Sequence, residues 1–355
     1  MKSIIAKSAI FSFLLIFVYS CSETTSSNDG SVESIYVCNQ GEGTISIIDA
    51  QKHEIIETLN LVDYGFSAGS KPHHIVVEED GNIWYVSLIA DGKVLKFNKE
   101  NELLGTADTP TPGMLVLHPN MPKLYAGRSM TAPNPPSSII SINTETMTVT
   151  EIPLPFARPH ALMIQNNGEF LYSGSLVENK IAVINAGNDE LEETSTFAGD
   201  NNVLVQFEVS SDDQQLFATG QISNQLLFFN LDSIGLLSFD QAIDVGNAPW
   251  HPVLANDGET LYLGNKMSNS VSAVNIVTKN VVNITGNGLA SPHGSALSKD
   301  GKYLFISNQN TNGDYIPNDS SGNASDTGTV VVINTSGNTI EKVIEVGKTP
   351  SGIGS

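Results

Sequence analysis

The sequence predicts an all-β chain folded as a seven-bladed β-propeller, with blade 1 closed by strands from both ends of residues 34–355. Three observations predict it. A proline-led motif recurs at a spacing of roughly 40–50 residues, the signature of a repeat architecture. Three β-rich runs follow each complete copy. The two ends of residues 34–355 carry complementary parts of one further blade. No helical periodicity interrupts the pattern.

The motif is a proline, a short alternating apolar run and an acid-glycine turn, and Lys71-Pro72-His73-His74-Ile75-Val76-Val77-Glu78-Glu79-Asp80-Gly81 sets it. It returns at Pro112, Pro159, Pro249, Pro292 and Pro350, and at Leu204 with leucine in place of proline, which makes seven copies. The runs that follow are rich in β-branched and aromatic residues and are separated by Gly, Asn, Asp and Ser, the composition of short strands joined by turns. In blade 2 they are Asn82–Ala90, Lys93–Asn98 and Leu103–Ala107; in blade 6 they are Thr260–Asn265, Val271–Ile276 and Val281–Ile284. Four short strands per repeat describe a propeller blade, since a sandwich array needs longer repeats and a leucine-rich solenoid shorter ones. The last copy, Thr349–Ser355, supplies only a first strand, whereas Ser34–Asn39, Thr44–Asp49 and Ile55–Leu61 supply the other three. Pairing Gly352–Gly354 with Ile35–Cys38 then closes the ring and leaves no free inner edge.

The stretch from Tyr36-Val37-Cys38-Asn39 through Gln40-Gly41-Glu42-Gly43 into Thr44-Ile45-Ser46-Ile47-Ile48-Asp49 resembles the YVTN-family propeller repeat, with echoes at Leu261–Asn265, Leu304–Asn308 and Val330–Asn334. The resemblance spans residues 34–355 and implies the propeller fold. It implies no single activity, because proteins of this shape include cell-surface and surface-layer proteins, sugar-lactone hydrolases and haem- or copper-bearing propellers.

Residues 1–20 have the layout of a bacterial secretory signal: Lys2 and Lys7 precede an apolar run from Ile10 to Val18 that is too short for a permanent membrane span. The run ends in Val18-Tyr19-Ser20-Cys21, which resembles a lipobox. That resemblance implies a lipoprotein acylated at Cys21 and held by its N-terminal lipid in the cell envelope, in the periplasm or on the outer surface. An ordinary signal peptide cut nearby is the alternative. Residues 21–33 are polar and predict a flexible tether. With Cys21 acylated, Cys38 is the only cysteine left, so the fold then rests on its core and not on an internal disulfide. Against 38 acidic side chains stand 17 Lys and Arg, a net charge of −21, and loss of Lys2 and Lys7 with the signal moves it by two to about −23. Such a surface repels nucleic acid and anionic headgroups.

Candidate chemistry gathers after the repeat prolines, on the propeller face where ligands cover the central channel. His73, His160 and His293 occupy the same motif position in blades 2, 4 and 7, with Gly113, Val205, Trp250 and Ser351 at that position in the others; His74 and His251 follow one residue later. Three readings stay open: imidazoles hydrogen-bonded to backbone, a transition metal or haem held by His73, His160 and His293, or direct contact with a ligand. Beyond the signal the chain has two arginines, Arg128 and Arg158, both expected on this face as receptors for a small anionic ligand, or else as surface ion pairs. The blade 7 insertion offers Asp314, Asn318, Asp319, Asn323 and Asp326 as oxygen donors for calcium, or as a solvated loop. The sequence holds no Gly-x-Ser-x-Gly elbow, haem-attachment motif or phosphate loop. It therefore favours a binding or scaffold module for a small anion or a protein partner, with a redox propeller or lactone hydrolase as the rival; the catalytic residues of that rival are not legible.

Overall fold

The structure is a computed structural model that describes residues 32–318 and 322–355. The expected signal segment, Cys21, the tether up to residue 31, and Asp319 lie outside the described residues. Seven antiparallel four-stranded sheets form the ring. Their innermost strands are Pro350–Gly354 in blade 1, Pro72–Val77, Pro112–Leu117, Pro159–Ile164, Leu204–Val209, Pro249–Leu254 and Pro292–Leu297 in blades 2 to 7. Several strands fall where the turn residues place them, among them Ser34–Asn39, Thr44–Asp49, Lys93–Asn98 and Thr260–Asn265. The helical content of the described residues is two short 3-10 turns, Leu61–Tyr64 and Ala324–Asp326. Among those residues no helix is long and apolar enough to cross a membrane.

One backbone device repeats in all seven blades. The residue before each innermost strand is left-handed: Lys71, Thr111, Arg158, Val203, Ala248, Ser291 and Thr349 have φ between 51° and 57°. None is glycine, so each conformation costs about 1 kcal/mol. The reversal aims its carbonyl back at the neighbouring strand, where it accepts the N–H of the first residue past the second strand. Those donors are Ile89, Ser129, Leu176, Gln221, Lys266, Gln309 and Gln40, at 2.8–3.2 Å. The bond fixes one residue of every blade at the rim of the channel.

Between sheets the core is apolar and aromatic. Trp84 stacks on Phe97 at 4.3 Å and on Tyr36 of blade 1 at 4.8 Å, joining two blades. Cys38 is buried in the same cluster as a small apolar residue. On the opposite face, second-strand tyrosines latch consecutive blades: Tyr125 Oη donates to Asp189 Oδ1 at 2.8 Å, Tyr172 Oη to the Gly235 carbonyl at 3.0 Å, and Tyr262 Oη to Asn338 Oδ1 at 2.8 Å. These tyrosines are buried, and an unpaired hydroxyl there would offset part of the packing gain.

Closure follows the expected pairing, with Tyr36 opposite Gly354 and Val37 opposite Ile353. Gly352 lies so close to the His73 carbonyl of blade 2 that a β-carbon would collide with it. Ser351 Oγ donates to the same carbonyl at 3.1 Å, and Ser307 Oγ of blade 7 donates to the Ser351 carbonyl. The terminal strand thus ties blade 7 to blade 2 through blade 1. Deleting residues 349–355 is expected to lower the melting temperature by more than about 10 °C or to abolish soluble protein, because the deletion strips paired backbone from two neighbours. An unchanged melting curve would contradict this closure.

Candidate functional site

Each innermost strand carries an irregularity directly after its first residue. In blade 2 Pro72 pairs with Leu88 and Ile75 with Val86, so His73 and His74 together face the single residue Ser87. Trp250 and His251 face Gly264 in the same way, and His293 and Gly294 face Ser307. In blade 4 the extra residue is His160, between the Pro159–Ser175 and Ala161–Gly174 pairs. A bulge breaks the two-residue alternation of a strand and re-aims the side chains it carries. Here it turns consecutive residues toward the axis.

The five motif histidines consequently meet. Ring centroids of His73 lie 6.1 Å from His160 and 5.9 Å from His293; His251 lies 4.9 Å from His293 and 5.7 Å from His74. Burial drives all five imidazoles toward the neutral form, with His74 lowered to about 3 and His160 to about 4, and His73, His251 and His293 well below the ordinary value. Their hydrogen bonds divide them. His160 Nδ1 is 2.7 Å from the Arg128 carbonyl and donates to it as the neutral tautomer. His74 Nδ1 accepts the Leu115 N–H at 3.3 Å. These two brace neighbouring blades. By contrast, neither ring nitrogen of His73 has a protein partner, nor does Nδ1 of His293 or Nε2 of His251. Among the described residues, no three His, Cys, Asp or Glu side chains are grouped to hold a metal ion. His73 stands between His160 and His293, and His160 is committed to its carbonyl.

Both arginines are hydrogen-bonded to protein groups. Arg128 is the last residue of the second strand of blade 3, Lys123–Arg128, and not part of the following loop. Its side chain, 1% exposed, runs along the blade. Nε donates to the Ser138 carbonyl at 2.8 Å, Nη1 to the Pro110 carbonyl at 2.7 Å, and Nη2 to Ser138 Oγ at 2.7 Å and Glu151 Oε1 at 3.3 Å. Arg158 reaches the mouth but spends its guanidinium on the carbonyls of Met130, Ala132 and Pro133 at 2.9–3.3 Å. It positions the loop that carries Met130 and Thr131. The blade 7 oxygen donors are likewise dispersed: Asp314 accepts from Asn269, Asn318 donates to Glu345, and Asp326 pairs with Lys348.

A cavity of about 300 Å³ opens at the channel mouth, walled by His73, His293, Trp250, Met130, Gln40, Gln309, Lys71 and Lys266. Lys266 is the residue that the sequence does not announce. It is the rim position of blade 6, held by its N–H on the Ala248 carbonyl at 2.9 Å. Its ammonium lies 4.6 Å from the centre of the Trp250 ring, which in turn lies 5.0 Å from the His293 ring. Burial alone lowers the amine to about 8, since no carboxylate offsets the lost hydration. The indole face supplies cation–π attraction without a counter-charge. The mouth therefore presents one poorly hydrated cation beside two neutral imidazoles with free nitrogens.

Comparison with known proteins agrees with this architecture. No curated protein matches the chain. Among solved structures, a functionally unknown protein from Desulfotomaculum acetoxidans aligns over 90% of this chain and 98% of its own, with TM-score 0.72 and 15% identity. The periplasmic gluconolactonase of Pseudomonas aeruginosa aligns over 91% and 98%, with TM-score 0.71 and 15% identity. Virginiamycin B lyase of Staphylococcus aureus aligns over 78% and 84%, with TM-score 0.59 and 15% identity. At such identities these likenesses establish the fold alone. The profile of the family described as lactonase, seven-bladed β-propeller, matches residues 23–251, more than half of the chain, and the chain therefore belongs to the seven-bladed β-propeller lactonase family.

Proposed function

We propose that the protein hydrolyses a small cyclic ester at the channel mouth. The observation that carries the reading is the half-buried Lys266 ammonium set over Trp250 and next to the free imidazole nitrogens of His73 and His293. Family membership supports it. A lactone carbonyl oxygen placed against Lys266 Nζ meets a charge in a poorly hydrated setting, where it stabilises a developing oxyanion far more than in water. A neutral imidazole, His73 or His293, takes a proton from water as the water oxygen bonds to the carbonyl carbon. The ring C–O bond then breaks, and the imidazolium returns its proton to the departing alkoxide, giving a hydroxy acid. Burial makes these imidazoles weak bases but makes their imidazolium forms strong acids, which suits protonation of a poor leaving group.

The same cavity without turnover is a binding module, the function favoured by sequence alone. A lactone that binds but releases no acid in a pH-stat assay would establish that reading and overturn hydrolysis. If hydrolysis occurs, Lys266→Met is expected to lower kcat/KM by about 100-fold or more while leaving the fold intact. Because the protonated amine is the working form, kcat/KM is expected to fall above about pH 8, tenfold per unit, after correction for alkaline background hydrolysis. The imidazoles must be neutral, and burial holds them well below the ordinary histidine value, so the acid-side loss of kcat/KM is expected on the acid side of pH 6.5 and not at it. A flat alkaline limb would remove Lys266 from the mechanism.

We further propose that the protein works as an exported lipoprotein, anchored through Cys21. The basic and apolar leader followed by Cys21 supports this. Cys21→Ser is expected to release the protein from the membrane fraction, and unchanged retention of that variant would remove the anchor.

A further inference from the structure

We infer, building on the lactonase reading, that the substrate is an uncharged lactone bearing an apolar alkyl or acyl chain, which lies along a shelf formed by Val177, Ile222 and Met267. The three residues occupy one equivalent position in consecutive blades: each directly follows the rim residue held by the left-handed carbonyl, in blades 4, 5 and 6. They are 45%, 67% and 79% exposed. A single exposed apolar side chain needs no explanation, whereas one repeated in register beside a cavity marks a contact surface. Two positions of this series tie it to the cavity. Met267 adjoins Lys266, and Met130, the corresponding residue of blade 3, lines the cavity wall. Blades 7 and 1 carry Asn310 and Gly41 at this position, so the apolar arc covers one side of the mouth only.

The second line of argument is charge. A phosphorylated or carboxylated sugar lactone calls for a cation beyond the one at the carbonyl, and guanidinium is the usual partner. Arg128 and Arg158 are bound to protein carbonyls, and the exposed Lys71 is the one further cation among the lining residues. A net charge of −21 opposes the approach of an anion.

The test is a steady-state series on the full-length protein: γ-butyrolactone and γ-lactones with linear side chains of up to eight carbons, against glucono-δ-lactone and its 6-phosphate. The expected result is a rise in kcat/KM of about two- to fourfold per methylene until the shelf is covered, with the sugar lactones slower than the long-chain members. The double variant Ile222→Ser, Met267→Ser is expected to raise KM for the longest lactone by about tenfold, to change its kcat by less than about twofold, and to flatten the series. Faster turnover of either sugar lactone, or rates independent of chain length, would overturn this inference and leave the hydrolase reading standing. No turnover of any lactone would overturn both.

Discussion

The innermost strand of every blade has one edge with no partner strand in its own sheet, and the polar backbone along that edge must still be paired. Side chains from neighbouring blades do much of this. The Leu115 N–H is met by His74 Nδ1, that of Leu162 by Gln206 Oε1 at 3.0 Å, and that of Leu254 by Glu208 Oε2 at 3.3 Å. The carbonyls of Gly113 and His251 accept from Ser87 Oγ and Ser295 Oγ at 2.8 Å and 2.9 Å. The channel is polar for this reason before any ligand is considered. Glu208 shows how far the constraint reaches: burial raises its carboxyl to about 7, yet its two oxygens serve the N–H groups of Val209 and Leu254.

The proposed chemistry uses what that bracing leaves over. The bulges re-aim the residues that follow the first position of each innermost strand. In blade 2 His74 is consumed by Leu115, and His73 is left with both nitrogens free. In blade 6 the same geometry sets Trp250 beneath Lys266, whose place is fixed by a backbone bond common to all seven blades. A repeated scaffold thus generates a unique site by varying single residues at equivalent positions. Stability and chemistry are separated residue by residue and not region by region.

The ring was legible in the sequence because proline and acid-glycine turns punctuate it; the seventh copy is recognisable although Leu204 replaces the proline. The gathering of His73, His160 and His293 was legible for the same reason, since all three follow a repeat proline. Arg128 was expected on the mouth face as an anion receptor. As the final residue of its strand it reaches instead toward Ser138 and Glu151 within its own blade, a contact that no spacing encodes. Lys266 was missed because its character depends on Trp250, which comes from another strand. Its position one residue past Asn265, where other blades carry Gln, Ser, Ile or Leu, is the signal that alignment of the repeats offers. The partition of the histidines into bracing and free groups depends on individual ring contacts, which no spacing encodes.

Everything assigned to the mouth depends on Lys266 being a poorly hydrated amine near neutrality. The direct measurement is an NMR titration of the protein with reductively 13C-methylated lysines, with the Lys266 resonance assigned through Lys266→Arg. The account predicts that this resonance titrates near pH 8, well below the value of about 10.4 for a lysine side chain free in water. Titration of Lys266 together with the exposed lysines would contradict it.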